Sequence, residues 1–124
     1  MPLTRVTCNF QPPPHFSEAL HALLQETLHI LPHDRLIVLD VHEATMIVPP
    51  TCAGRYLLFE ISLFPGRTME TRRRLYGALC QLAEEFNVSA TDTRIVLHEV
   101  PLENWGIRGG LPASEVALGY EVRV

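Results

Sequence analysis

From Leu3 to Phe10 polar and apolar positions alternate, with Thr4, Val6, Cys8 and Phe10 on one face and Leu3, Arg5, Thr7 and Asn9 on the other. That period of two predicts a strand beginning almost at the first residue. Pro12-Pro13-Pro14 ends it, because proline cannot donate to a ladder. Leu20, Leu23, Leu24, Leu28 and Leu31 then recur at helical spacing, with Ser17 as the expected N-cap and Pro32 as the stop. Leu36-Ile37-Val38-Leu39 is a short aliphatic run suited to a buried strand.

The second half repeats the scheme. Tyr56 to Phe64 predicts a strongly apolar strand, Pro65-Gly66-Arg67 a turn, and Thr68 the N-cap of a helix whose buried stripe is Leu75, Leu79, Leu82 and Phe86. Asn87 is the expected stop, and Arg94 to Val100 the next strand. Asp34-Arg35-Leu36-Ile37-Val38-Leu39 and Asp92-Thr93-Arg94-Ile95-Val96-Leu97 enter their strands alike, so the chain reads as two β-α-β units in tandem. The halves run from about 1–48 and 55–124, joined around Pro49, Pro50 and Gly54, in one domain spanning 1–124. Right-handed crossovers then place four strands in one mixed sheet with both helices on one face, an α+β fold. Val116, Leu118, Tyr120, Val122 and Val124 alternate as a C-terminal strand. No third helix is left for the second sheet face, so subunit association is expected to cover it.

Composition narrows the chemistry. At 124 residues, 47% apolar and 19% charged, the chain is a single globular domain's worth of sequence. No apolar run approaches a membrane span and Met1-Pro2-Leu3-Thr4-Arg5 lacks the long apolar stretch of a secretory signal, so a cytoplasmic protein with no membrane partner is expected. All ten basic residues are arginines, which removes lysine Schiff bases, P-loop lysines and lysine bases at once. A net charge of −4 argues against nucleic-acid binding. Cys8, Cys52 and Cys80 form no CxxC pair, the six histidines no metal signature, and neither GxSxG, GxGxxG nor a Walker motif occurs. No metal or organic cofactor is expected.

Pro2 is the residue with most to offer. Once Met1 is removed, it is a secondary amine at the start of a strand. A free α-amine titrates near 8, and desolvation or nearby arginines lower that value by disfavouring the cation, so such a group can take a proton from carbon at neutral pH. Arg67, beside a helix start, can fork onto a carboxylate or serve as a solvated turn residue. Arg94 can do the same or pair with Asp92 or Glu99. Asp34-Arg35 can be a turn with a local ion pair. Trp105 suits core, interface or pocket wall, while His42 and Arg108 read most simply as structural.

Three motifs occur in order between Ile61 and Val116: Phe64-Pro65-Gly66-Arg67-Thr68, Thr93-Arg94-Ile95-Val96-Leu97-His98-Glu99, and Asn104-Trp105-Gly106-Ile107-Arg108-Gly109-Gly110 before Ala113-Ser114-Glu115. This stretch resembles 4-oxalocrotonate tautomerase. The whole chain resembles a fused, double-length member of the tautomerase superfamily, with Asp34-Arg35 and His42 placed as in the branch containing malonate semialdehyde decarboxylase. The resemblance implies the duplicated β-α-β fold of tautomerases and MIF-like proteins, a homotrimer, a small carboxylate substrate and catalysis by an amino-terminal proline. It matches Pro2 to the catalytic proline and Arg67 to the arginine that binds substrate carboxylate. Arg94 matches a second, polarising arginine, Trp105 an aromatic residue of the proline pocket, and Asp34 an aspartate implicated in water activation. Arg35 and His42 are carried as further substrate-binding candidates. The decarboxylase pattern has two arginines one residue apart; here Pro65 stands at the first position and only Arg67 remains. Leu57 stands where a second-half proline would align, and Pro12 where the short enzymes carry an arginine, so one site per chain is expected. Enol-keto tautomerisation is thus the expected activity, with hydration, dehalogenation or decarboxylation, and a non-catalytic oligomer binding a small anion or a protein, as alternatives.

Overall fold

A computed structural model describes residues 2–119. The main elements are β1 (Leu3–Cys8), α1 (His15–Leu28), β2 (Ile37–Val41), β3 (Leu57–Leu63), α2 (Met69–Glu85) and β4 (Thr93–Glu99), followed by a small hairpin of β5 (Gly106–Ile107) and β6 (Leu111–Pro112). The first four strands form one sheet in the order β2-β1-β3-β4. β1 runs parallel to β2 and antiparallel to β3, and β3 runs parallel to β4. Each parallel pair is bridged by a helix, and the two units meet at the central antiparallel pair. This is the four-stranded mixed α+β architecture that the periodicities predict.

The core lies between one sheet face and the helix pair. Val6 and Cys8 of β1 and Leu57, Phe59, Ile61 and Leu63 of β3 meet Phe16, Leu20, Leu24 and Leu28 of α1 and Leu75 and Leu79 of α2, all at 1% exposure or less. Phe59 stacks on Phe16, which meets Phe86 edge-on. Thr68 caps α2 by accepting a hydrogen bond from the Thr71 amide, and Asn87, at φ 63°, stands just beyond its end. Helix α1 departs from expectation at both ends. Its N-cap is Pro14, with backbone already helical and the Phe16 amide donating to Pro13, so Ser17 falls inside the first turn. It ends at Leu28, where His29 turns left-handed, and Leu31 lies in the following loop.

The sheet face turned away from the helices is amphiphilic. Arg5 pairs with Asp40 at 2.6 Å and Glu60 faces His98 at 3.4 Å, beside Thr7, Ser62 and the exposed Val96. The face is lined by Leu3, Arg5 and Thr7 of β1 and Leu58, Glu60 and Ser62 of β3, and four of these six are polar, so a subunit covering this face would meet polar groups as well as apolar ones. The expected C-terminal strand is absent over residues 116–119, and its remainder, Tyr120 to Val124, lies outside the described residues. No helix among the described residues is long and apolar enough to cross a membrane.

Candidate active site

Because β1 and β3 are antiparallel, the start of β1 lies beside the end of β3. Leu3 is opposite Ser62, so Pro2 falls at the level of Leu63. The parallel partners bring the start of β2 and the end of β4 to the same place: the Thr4 amide donates to Leu36 O at 3.0 Å, and the Val100 amide to Leu63 O at 2.9 Å. One end of the sheet therefore gathers Pro2, the loop carrying Asp34 and Arg35, the turn carrying Arg67 and the segment leading to Trp105. Pro2 is itself buried.

Arg67 reaches this end through a turn. Gly66 adopts φ 128°, a conformation that side chains with a Cβ resist, and this bend separates β3 from α2. The Arg67 side chain folds inward to 5% exposure. Its Nη2 donates to Leu28 O at 3.2 Å and its Nη1 to Phe64 O at 3.4 Å. A guanidinium at the carbonyl end of α1 also meets the negative pole of that helix. The positive end of α2 begins one residue later, at its cap Thr68. The solvated-turn alternative for Arg67 is thus excluded, and its guanidinium is a buried cation in a water-poor corner.

Trp105 is half-buried. Its ring meets Phe64 edge-on with centroids 5.1 Å apart, and its Nε1 donates to Val100 O at 3.0 Å. The Ala113 amide donates back to Trp105 O at 3.0 Å, which fastens β6 against the same segment. An aromatic wall thus stands beside the residue that opens the Arg67 turn.

Asp34 and Arg35 sit in the tight turn before β2, where the Asp34 amide donates to Leu31 O and the Arg35 amide to His33 O. Stepping back two residues from the Thr4–Ile37 pair puts Arg35 at the level of Pro2. Arg35 makes its ion pair with Glu18 of α1 at 2.5 Å rather than with its neighbour. That contact, a hydrogen bond from the guanidinium, holds the Glu18 carboxyl below its ordinary value of 4.5.

Two sequence candidates lie elsewhere. His42 follows β2, its amide donating to Cys8 O at 2.8 Å, and is exposed at the opposite end of the sheet. Arg94 is exposed near the start of β4 opposite Leu58, five residues along β3 from Leu63, or roughly 17 Å at the usual rise per residue. Within one chain neither joins Pro2. Nor does the cleft of about 700 Å³ between the helices, lined by Ala22, Gly77 and Gln81 among others from α1 and α2.

Sequence reasoning missed two features of the Pro2 end. Arg72 of α2 pairs with Glu99 at the end of β4 at 2.7 Å, and His21 of α1 bonds Pro32 O at 2.9 Å. Both join residues distant in sequence, so no local pattern announces them. Among the described residues no cluster of three or more histidine, cysteine or acidic side chains is arranged to hold a metal ion, and the three cysteines are free, with burial raising the thiols of Cys8 and Cys80.

Comparison with known proteins agrees with this fold. Residues 34–108 match a tautomerase enzyme family. A probable tautomerase of Ralstonia nicotianae is 36% identical over 58 residues, covering 46% of this chain and 81% of its own. Among solved structures, a malonate semialdehyde decarboxylase inhibited by 3-bromopropiolate superposes with a TM-score of 0.76 at 23% identity, covering 93% of this chain and 98% of its own. A fused 4-OT protein, solved as a symmetric trimer, gives 0.79 at 24% identity over 90% and 96%. At those identities the structural likeness speaks for the fold, while the sequence match extends from the Asp34 turn through Trp105. The chain belongs to the tautomerase enzyme family.

Proposed function

We propose that this protein is a cofactor-independent tautomerase acting on a small keto or unsaturated carboxylate, with Pro2 as its proton carrier. The single observation that supports this most is the meeting of a buried Pro2 with the Arg67 turn at one end of the sheet. With Met1 removed, the ring nitrogen is a neutral amine in surroundings that disfavour its cation. It takes a proton from the carbon α to the carbonyl, leaving a dienolate, and returns it at another carbon, so that the substrate is isomerised with no change in its atoms. Arg67 orients the substrate carboxylate: its two bonds to carbonyls are longer than the usual 2.9 Å or so, and a charged acceptor makes the stronger partner. Trp105 and Phe64 keep water from the amine.

Arg94 enters this reading from a neighbouring copy, since within its own chain it stands at the far end of the sheet. A homotrimer, as in the fused 4-OT structure, would bring far ends to near ends. Assembly through the amphiphilic face then relies on matched polar groups as well as apolar contact. On this reading the protein works in the cytoplasm, with no nucleic-acid or membrane partner; its net charge of −4 supports the former exclusion.

Asp34 at the Pro2 end favours one second reading, in which cationic Pro2 acts as acid and Asp34 activates water to hydrate an unsaturated acid. Retention of Met1 in the protein from its native cell would instead support a non-catalytic binding role. The test is a substrate panel run on Met-processed protein: ketonisation of a 2-hydroxydienoate supports the first reading, hydration alone the second, and neither would remove both.

A further inference from the structure

The mechanism gives no task to His21, although it is a histidine with only 7% exposure in the middle of α1. Its Nε2 lies 2.9 Å from Pro32 O, and a carbonyl only accepts, so Nε2 carries the hydrogen. Its Nδ1 is buried and makes no hydrogen bond among the described residues. A buried imidazole with one nitrogen unsatisfied is a poor way to fill a core position, where leucine would carry no such penalty. What His21 supplies is a fixed donor to one carbonyl.

Three residues earlier on the same helix, Glu18 holds Arg35 at 2.5 Å. Side chains three apart on a helix lie next to one another on one face. The loop residues they grip, Pro32 and Arg35, are also three apart, and Asp34 lies between them in a turn closed by its own amide onto Leu31 O at 3.0 Å. One face of α1 thus holds the loop on both sides of residue Asp34.

We propose that His21 and Glu18 are positioning residues that set where the Asp34 carboxylate stands relative to the Pro2 amine; this rests on the reading of Pro2 as the proton carrier. A fixed anion near the amine favours its protonated form, and the strength of that effect depends on distance. The clamp therefore tunes the pH at which Pro2 becomes a base, in opposition to burial and Arg67 and beside the Arg35–Glu18 and Arg72–Glu99 pairs at the same end, while touching neither substrate nor amine.

The test is the pH profile of kcat/KM for ketonisation of a 2-hydroxydienoate by Met-processed protein, measured for wild type, Asp34→Asn, His21→Leu, His21→Gln and Glu18→Gln. Asp34→Asn and His21→Leu should each move the acid limb to lower pH, by about half a unit to one unit for one charge at a separation of several ångströms. Glu18→Gln should move it the same way by less, and His21→Gln, whose amide can donate to Pro32 O, should hold it near the wild-type position. Glu18→Gln alters an exposed pair and provides the same readout if His21→Leu does not fold. A shift with Asp34→Asn but none with His21→Leu and Glu18→Gln would overturn the clamp and leave the Pro2 reading standing. An equal shift with His21→Gln and His21→Leu would also overturn it. No shift with Asp34→Asn would remove Asp34 from the amine's surroundings and the clamp's purpose with it, whereas loss of the acid limb in every form, wild type included, would point to failure of the Pro2 reading itself.

Discussion

The guanidinium of Arg67 donates to the main-chain carbonyl of Leu28 at 3.2 Å, so the residue just before the cap of α2 is fastened to the last residue of α1. The same side chain holds Phe64 O. It is therefore a structural tie between the two halves as well as the proposed carboxylate anchor.

Arg67→Ala should lower stability as well as activity. Two buried carbonyls lose a charged donor, a loss of about 2–3 kcal/mol, which a urea titration would register as a fall in midpoint at unchanged slope. Activity of the still-folded fraction should fall chiefly through a raised KM. Unchanged stability would mean that water or another group replaces the guanidinium at Leu28 without cost.

Arg94→Ala should behave in the opposite manner. The side chain is exposed, so stability should stay within about 0.5 kcal/mol of wild type, whereas kcat/KM should drop. Co-refolding Arg94→Ala protein with Pro2→Thr protein should restore part of the activity that each lacks alone, because a mixed assembly contains sites with an intact Pro2 and an intact Arg94 from different copies. No recovery in mixed assemblies would place Arg94 outside the site.

Much of this arrangement was legible in the sequence, and what was hidden is of one kind. The alternation in β1 and β3, the leucine spacing of α2, its Thr68 cap and the Asn87 stop are local patterns, each decided within a turn or a strand. Pro14 as the start of α1 was missed because Ser17 is the better cap by side chain, while proline's fixed φ starts the helix without one. The division of the candidates between the two ends was hidden for a different reason. Which end holds Asp34 and which holds His42 depends on β1 and β2 being parallel, and the place of Arg67 depends on β1 and β3 being antiparallel. Motif order lies along the chain, and the register that sorts the motifs in space does not. The His21–Pro32 and Glu18–Arg35 contacts were hidden likewise, since each joins α1 to a loop distant in sequence.

The Glu18–Arg35 pair should leave a trace in the pH dependence of stability. The Glu18 carboxyl is held below its ordinary 4.5 by the guanidinium, so the folded state binds this proton less readily than the unfolded state does. Its contribution is complete above that ordinary value and is lost as pH falls through the lower folded value. Wild type should therefore exceed Glu18→Gln in urea midpoint at pH 6, and the gap should close as acid protonates Glu18. Added salt should narrow the gap at pH 6, because the pair is open to solvent. A gap that is constant across this range would show that the variant acts through something other than this charge.

The chain contains no lysine, so an amine-selective acylating reagent meets no competing side-chain amine, and this makes one measurement unusually clean. Met-processed protein is assayed for ketonisation of a 2-hydroxydienoate before and after acetylation, with intact mass reporting one acetyl group per chain and circular dichroism reporting the fold. A proton carrier at Pro2 predicts that the acetylated protein stays folded and loses activity by about 10²-fold or more, the usual weight of a positioned acid-base group. Full activity in a protein whose ring nitrogen is wholly acetylated would contradict it.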